Sequence, residues 1–276
     1  MPLTEIEGRV AVVTGAGSGI GRSMVEHFVA RGMKVAAADV DGDAAAETVG
    51  LAGGESFAMA VDVAAAAAVE SLADAVYERW GATHLLCNNA GVFQAGLSWQ
   101  RSVKDWEWAL GVNLWGIIHG VKAFVPRMLE AGEEGHVVNT SSVAGFVAAP
   151  YSGPYNVSKV AAFSMSETVA HDLAAAGASI GCSVLCPSSI RTGIAHTDRV
   201  RPGGPSDEGD DAALVRESLF QITETGIDPA EVPPLVLEGI ADGDFLIATK
   251  PSYANQIQTR FEALLERRLP PTPPVD

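Results

Sequence analysis

Cysteine and basic charge are what this chain most lacks. Cys87, Cys182 and Cys186 are its three cysteines in 276 residues, too few for a disulfide framework. All three sit in apolar, strand-like runs, where a thiol is expected to be buried. Eighteen Lys and Arg side chains face thirty-four Asp and Glu, a formal charge of −16. That sign repels the phosphates of nucleic acid and the anionic face of a membrane, so neither is an expected partner. No stretch approaches the roughly 20 apolar residues that cross a bilayer. The opening "MPLTEIEGRVAVVTG" lacks a basic segment followed by an apolar run. A soluble, cytoplasmic protein is the expectation.

Metal ligation is not expected either. His84, His119, His136, His171 and His196 show no ligand spacing with cysteines or carboxylates, and Cys182-x-x-x-Cys186 on a strand turns both sulfurs to one buried face. The sequons at Asn139 and Asn156 are set aside for want of a signal peptide. Neither Gly-x-Ser-x-Gly nor Ser-x-x-Lys frames Ser142, which argues against acyl transfer.

What is present is an alternation. With 47% hydrophobic and 19% charged residues, the chain suits one large domain with a substantial core. Short apolar runs at about 9–14, 34–38, 56–61, 84–87, 135–140, 179–186 and 244–248 read as strands, with helical periodicity between them. That rhythm predicts an α/β fold with a doubly wound, seven-stranded parallel sheet. The alanine-rich "VAAAAAVESLADAVYERWG" is helix rather than linker, because alanine has the best helix propensity. Two segments break the rhythm: "RPGGPSDEGDD" at 201–211, read as a mobile insertion, and the proline-rich tail at 270–276.

Directly after the first strand, "VAVVTGAGSGIGRS" places glycines at 15, 17, 19 and 21, where a helix is about to begin. Missing side chains let the backbone approach a pyrophosphate, whose charge the helix N-terminus stabilises. The spacing is Gly15-x-x-x-Gly19-x-Gly21 and not G-x-G-x-x-G, whose last glycine would fall on Ile20. No Gly-Lys-Ser/Thr ending marks a triphosphate loop. Asp39 closes the second strand twenty-four residues after Gly15, where a carboxylate would accept both hydroxyls of an adenosine ribose. It would repel a 2′-phosphate, and neighbouring Val40 offers no cation, so NAD is expected over NADP. A helix cap is the competing role for Asp39, but Asp41 is the better cap candidate.

These residues resemble the short-chain dehydrogenase/reductase family over residues 8 to 192. Thr14-Gly15-x-x-x-Gly19-x-Gly21, Asp62-Val63, "NNAG" at 88–91, Asn113, Ser142 and Tyr155-x-x-x-Lys159 appear in the family's order. The resemblance implies a Rossmann-type domain over 1–269, with a substrate lid at about 193–228, and a homodimer or homotetramer. Its cofactor contacts would come from Gly15, Gly17, Ser18, Gly19, Ile20, Gly21, Asp39, Val40, Asp62, Val63, Asn89, Ala90, Gly91, Tyr155, Lys159, Pro187, Ile190 and Thr192. One departure stands out: the family's Pro-Gly after the sixth strand is Pro187-Ser188 here, which puts the local turn in doubt. The helices expected at 104–130 and 153–175 would pack on symmetry mates, with Trp106, Trp108, Trp115 and Phe124 supplying apolar surface or, equally, core.

Oxidising an alcohol needs a base for the hydroxyl proton while hydride leaves for the nicotinamide. Tyr155 is a poor base near its ordinary pKa of about 10 unless its phenolate is stabilised. Lys159, one helical turn on, shares its face and would lower that value. Ser142 would hydrogen-bond the substrate oxygen; spacing leaves Ser141 as an alternative, and the family pattern selects Ser142. Asn113 resembles the position that holds a water leading from Lys159 to solvent, or is a satisfied buried amide. Val143, Phe146, Ser188, Ile194, His196 and Phe220 are the candidate substrate-pocket residues, and Arg191, Arg199 and Arg201 are expected to face solvent. A bulky, hydrophobic secondary alcohol is the preferred substrate, as in the branch with the aryl Cα alcohol dehydrogenases. The alternatives are an NADP(H)-dependent carbonyl reductase and a dinucleotide-binding protein without turnover.

Overall fold

The structure is a computed structural model and describes residues 3–204, 209–251 and 253–272. Seven parallel strands form one sheet in the order β3-β2-β1-β4-β5-β6-β7: β1 Val10–Thr14, β2 Lys34–Asp39, β3 Ser56–Ala60, β4 Leu85–Asn88, β5 Gly135–Thr140, β6 Ile180–Cys186 and β7 Leu246–Ala248. The strands expected from sequence all exist, within two residues at each end.

Alternate residues of each strand feed two cores, the period-2 consequence of a sheet covered on both faces. Val10, Val12, Ala36, Ala38, Leu86 and Val137 face one way. There they meet helices α3 (Ala66–Trp80), α5 (Gly116–Ala131) and α6 (Gly153–Ala175), among them the fully buried Leu72 and Phe124. Ala11, Val13, Val35, Ala37, Leu85 and Cys87 face the other way. Helices α1 (Gly19–Ala30) and α8 (Val232–Asp242) cover them, with α2 (Gly42–Ala52) alongside. The remaining helices are α4 (Val103–Leu110), α7 (Asp210–Glu224) and α9 (Tyr253–Leu265).

Helices α4 and α5 join through a π-helical turn, Gly111–Trp115, into one 29-residue run from Val103 to Ala131. An 18-residue window of this run has a mean hydropathy of 1.2, enough by length and composition alone to cross a membrane, which corrects the expectation that no stretch comes near it. Its apolar side is accounted for within the fold: Ala123, Phe124 and Met128 are buried against the sheet and α3, and Ile117 is buried as well. Phe124 is therefore core. Trp108 lies under the Arg201 guanidinium, and of the four aromatics named above only Trp115 is exposed.

The crevice between β1 and β4 is where the strand order reverses, the place at which open α/β sheets take their ligands. All the groups discussed next lie at that carboxyl edge. Of the segment expected to be mobile, residues 205–208 lie outside the described residues, as do residues 273–276 of the tail.

Candidate active site

One continuous cavity of about 1260 Å³ runs along the carboxyl ends of the strands. At one end the chain leaves β1 through the glycine loop. Gly15 adopts φ of 68°, which favours glycine, and a Cβ on Gly21 would fall 2.0 Å from the Gly15 carbonyl oxygen. Thr14 Oγ1 accepts the N–H groups of Asn89 and Ala90 at 3.0 and 3.1 Å, and Asn89 Nδ2 donates to Thr14 O at 3.0 Å. These bonds fix the Asn89–Gly91 segment against the loop.

Asp39 is built into this end. Its Oδ2 accepts from Gly17 N at 2.8 Å, and its Oδ1 from Asp41 N at 2.9 Å. Capping of α2 falls to Asp41, whose Oδ1 accepts from Ala44 N at 3.1 Å. Asp39 and the half-exposed Val40 line the cavity, followed by Asp62 and Val63.

At the other end, β5 delivers two serines with different duties. Ser141 Oγ donates to the Lys159 backbone oxygen at 2.7 Å. Ser142 Oγ accepts from Ala144 N at 3.2 Å and hydrogen-bonds Tyr155. On α6, Tyr155 and Lys159 follow one turn apart, and Lys159 Nζ lies 5.6 Å from the centre of the tyrosine ring. The ammonium donates to Thr140 O at 3.1 Å. Burial pulls Lys159 down to about 8. The same burial raises Tyr155 above its ordinary value, against the opposing hydrogen bond from Ser142. Desolvation thus sets the direction of the phenol's shift, and the lowering by the lysine expected from sequence is not seen in it.

Asn113 sits in the π-helical turn, a feature frequent at functional sites. Its Nδ2 donates to Val92 O and Ser158 Oγ, both at 2.9 Å, and its Oδ1 accepts from Val92 N at 2.8 Å. Both donors are used, leaving one lone pair of Oδ1 for a water. The Pro187-Ser188 departure leaves the turn intact: Ser188 N donates to Thr249 Oγ1 at 3.0 Å, and Ser188 is not among the residues of positive φ, so the backbone needs no glycine there.

The segment expected to form a lid consists of 3-10 turns over Gly193–Val200, kinked at His196, followed by α7. It is tied to the start of α4. Arg201 pairs with Asp105, donates to Gln94 Oε1 at 2.7 Å and lies over the Trp108 ring, its side chain only 8% exposed. Arg201 therefore does not face solvent as expected. Asp105 also closes the Ser102 capping box of α4. Burial pushes its carboxyl up, but hydrogen bonds from Arg201 and Ser102 outweigh this and hold it below the ordinary carboxylate range. A second pair, Arg101 with Asp211 at 3.6 Å, fastens the start of α7. Residues 96 and 110 apart in sequence carry no local signal of such pairing, and sequence reasoning missed both.

Of the six pocket candidates, Val143, Ser188 and Ile194 line the cavity. Phe146 does not: it is buried among Phe163, Tyr253 and Val184, its ring edge-on to two aromatics. His196 and Phe220 meet at a tilt, ring centres 5.2 Å apart, in a separate groove with Arg22 and Glu224, at the point where the backbone kinks at His196. Sequence reasoning also missed Phe93, whose ring meets Tyr155 edge-on at 5.0 Å. Tyr151 was missed as well; it lines the cavity mouth with φ of 59°, and Gly96 N donates to its carbonyl at 2.7 Å.

A family model described as short chain dehydrogenase matches residues 9–202. The chain belongs to this family. A short chain dehydrogenase/reductase from Burkholderia phymatum, whose structure is a complex with NAD, is 42% identical, with a TM-score of 0.94 and 98% of each chain covered. The C alpha-dehydrogenase of Sphingobium sp. strain SYK-6 is 32% identical over 275 residues, 97% of this chain and 89% of that protein. The CLA biosynthesis dehydrogenase/reductase of Lactiplantibacillus plantarum is 29% identical over 272 residues, 95% of each. As a short chain dehydrogenase, the protein is an NAD(P)-dependent oxidoreductase of the alcohol dehydrogenase and ketoreductase type.

The cavity walls fit a dinucleotide. A Cβ on Gly17 would meet Ala44 Cβ at 2.8 Å and Asp39 Oδ2 at 3.0 Å, and one on Gly91 would reach to 3.4 Å from Lys159 Nζ, so the cradle exists because these side chains are missing. At about 1260 Å³ the cavity exceeds the roughly 300–1,000 Å³ of a one-ligand site, leaving room for cofactor and substrate together.

Proposed function

We propose that this short chain dehydrogenase interconverts bulky, hydrophobic secondary alcohols and their ketones, using NAD. The supporting observation is that Ser142, Tyr155 and Lys159 share one cavity with the glycine loop and Asp39. When bound, the nicotinamide supplies the hydride acceptor or donor. Glycines 15 to 21 with Ser18 and Ile20 hold the pyrophosphate, Asp39 the adenosine ribose, Asp62 and Val63 the adenine, and Asn89 to Gly91 the region between. Pro187, Ile190 and Thr192 close over the nicotinamide end.

Tyr155 exchanges the proton with the substrate oxygen: its phenolate takes the hydroxyl proton in oxidation, and its phenol returns one in reduction. Ser142 Oγ donates a hydrogen bond to that oxygen as charge collects on it. Lys159 keeps a cation behind Tyr155, favouring the phenolate when it forms. The preference for bulky apolar substrates rests on Phe93, Trp108, Val143, Val147, Leu219 and Ile222 around the catalytic end. The C alpha-dehydrogenase likeness points the same way.

A panel of secondary alcohols followed by NADH absorbance tests this. Neutral aryl or alicyclic alcohols are expected to give the highest kcat/KM. A sugar or a short hydroxy acid as best substrate would overturn the substrate class.

Cofactor choice has its own test. Asp39→Ala combined with Val40→Arg removes the carboxylate and adds a fork for a 2′-phosphate. The ratio of kcat/KM for NAD over NADP is expected to fall by about 10², equivalent to some 3 kcal/mol at 1.4 kcal/mol per decade. Part of the fall arises because Gly17 N loses its acceptor. A wild type that already prefers NADP defeats the ribose assignment.

A further inference from the structure

We propose that Arg199, on the lid, binds the pyrophosphate of the dinucleotide from the side opposite the glycine loop. This rests on the dinucleotide reading above and goes beyond it, because the positions that the family pattern assigns to the cofactor end at Thr192.

The chain doubles back on itself at this point. Thr192 packs against the glycine loop, its Cγ2 lying 2.9 Å from where a Cβ on Gly19 would be. Gly193 follows, and Arg199 Nη1 lies 3.6 Å from where a Cβ on Gly193 would be. The same Nη1 donates to His196 O at 3.2 Å. The turn at His196 thus returns the guanidinium beside the residue that follows Thr192, and Arg199 lines the same cavity as Gly15, Ser18 and Gly19.

Charge points to the same ligand. The dinucleotide end of the cavity already carries Asp39 and Asp62, and a pyrophosphate adds two more negative charges that the α1 N-terminus offsets only in part. The other arginines nearby are committed. Arg22 turns onto Gly17 O and Glu47, Arg191 onto Asp228, and Arg201 onto Asp105. Arg199 has no carboxylate partner among the described residues, and its planar fork matches two phosphate oxygens. Because Arg199 belongs to the lid, the same contact links cofactor binding to the position of the chain that covers the substrate.

Fluorescence titration with NADH, in wild type, Arg199→Ala and Arg199→Lys at low and high salt, tests the assignment, with adenosine as the phosphate-free probe. Alanine is expected to weaken NADH about five- to tenfold at low salt, with a shallower salt dependence, and lysine to recover part of the loss. Adenosine is expected to bind all three proteins equally, and melting curves check that each is folded. Equal NADH affinity and salt dependence in wild type and Arg199→Ala overturns the proposal, as does an equal loss of adenosine binding. A wild type that does not bind NADH overturns the dinucleotide reading itself and this inference with it.

Discussion

Tyr155→Phe is expected to bind NADH as the wild type does and to turn over about 10²–10⁴-fold more slowly, the range set by loss of acid–base catalysis. Phenylalanine keeps the ring that packs edge-on against Phe93 at 5.0 Å and beside the Lys159 ammonium, so neither the fold nor the cavity shape changes. What disappears is the one oxygen on this wall that both carries a proton and hydrogen-bonds Ser142. Burial holds the phenol above its ordinary value in the protein without dinucleotide, so oxidation, which needs the phenolate, should rise with pH. Reduction, which needs the phenol, should fall with pH, and the variant should lose both dependences. Ser142→Ala combined with Tyr155→Phe should cost little more than the tyrosine change alone, since the two act as a unit on one oxygen. Unchanged turnover in Tyr155→Phe would remove the tyrosine from the mechanism.

The parts of this molecule that could be read from sequence are those encoded by short-range pattern. Strands such as VAVVT and IGCSVLC are mostly apolar runs because both faces of a parallel sheet are covered, and a short run of this kind is legible in sequence. Glycine spacing before a helix and the Tyr155-x-x-x-Lys159 turn are likewise local, so their relation follows from helix geometry alone. Other features depend on contacts between distant segments. The extra residue in the π-helical turn at Gly111–Trp115 leaves the helix running on, and the apolar pattern does not register it. Whether Arg201 faces water or Asp105 depends on the segment after β6 crossing α4, a contact over 96 residues. Phe146 and Phe220 are both large and apolar; one is core and the other lies in an outer groove, and only the path of the chain distinguishes them from pocket residues. Even Asp39, singled out for an adenosine ribose, makes a contact invisible in the sequence, since it accepts the Gly17 N–H.

Lys159→Met is expected to abolish measurable turnover and yet to make the protein more stable at neutral pH. Lys159 is 3% exposed, its ammonium donates to Thr140 O, and no carboxylate pairs with it among the described residues. The neighbouring Cys186 opposes the cost of burial only in part, because burial pushes its own thiol up to about 12. Desolvation therefore drags Lys159 from 10.5 to about 8, which corresponds to about 3 kcal/mol of cost for the buried charge at 1.36 kcal/mol per pKa unit. Below pH 8 the lysine is protonated in both folded and unfolded states, and the cost is present in full. Between about 8 and 10.5 the unfolded chain still holds the proton that the folded protein has released, so stability rises with pH and the cost is relieved. Methionine, similar in length and uncharged, escapes the cost but strands the Thr140 carbonyl, which returns about 1 kcal/mol. A net gain of about 2 kcal/mol at pH 7 should appear in urea denaturation and shrink towards pH 10, while NADH binding weakens through loss of the cofactor contact expected of this lysine. Comparing the two proteins at each pH cancels every other titrating group. If the methionine variant is the less stable at pH 7, or if its margin over wild type is the same at pH 10, the lysine is not a destabilising charge kept in place for chemistry.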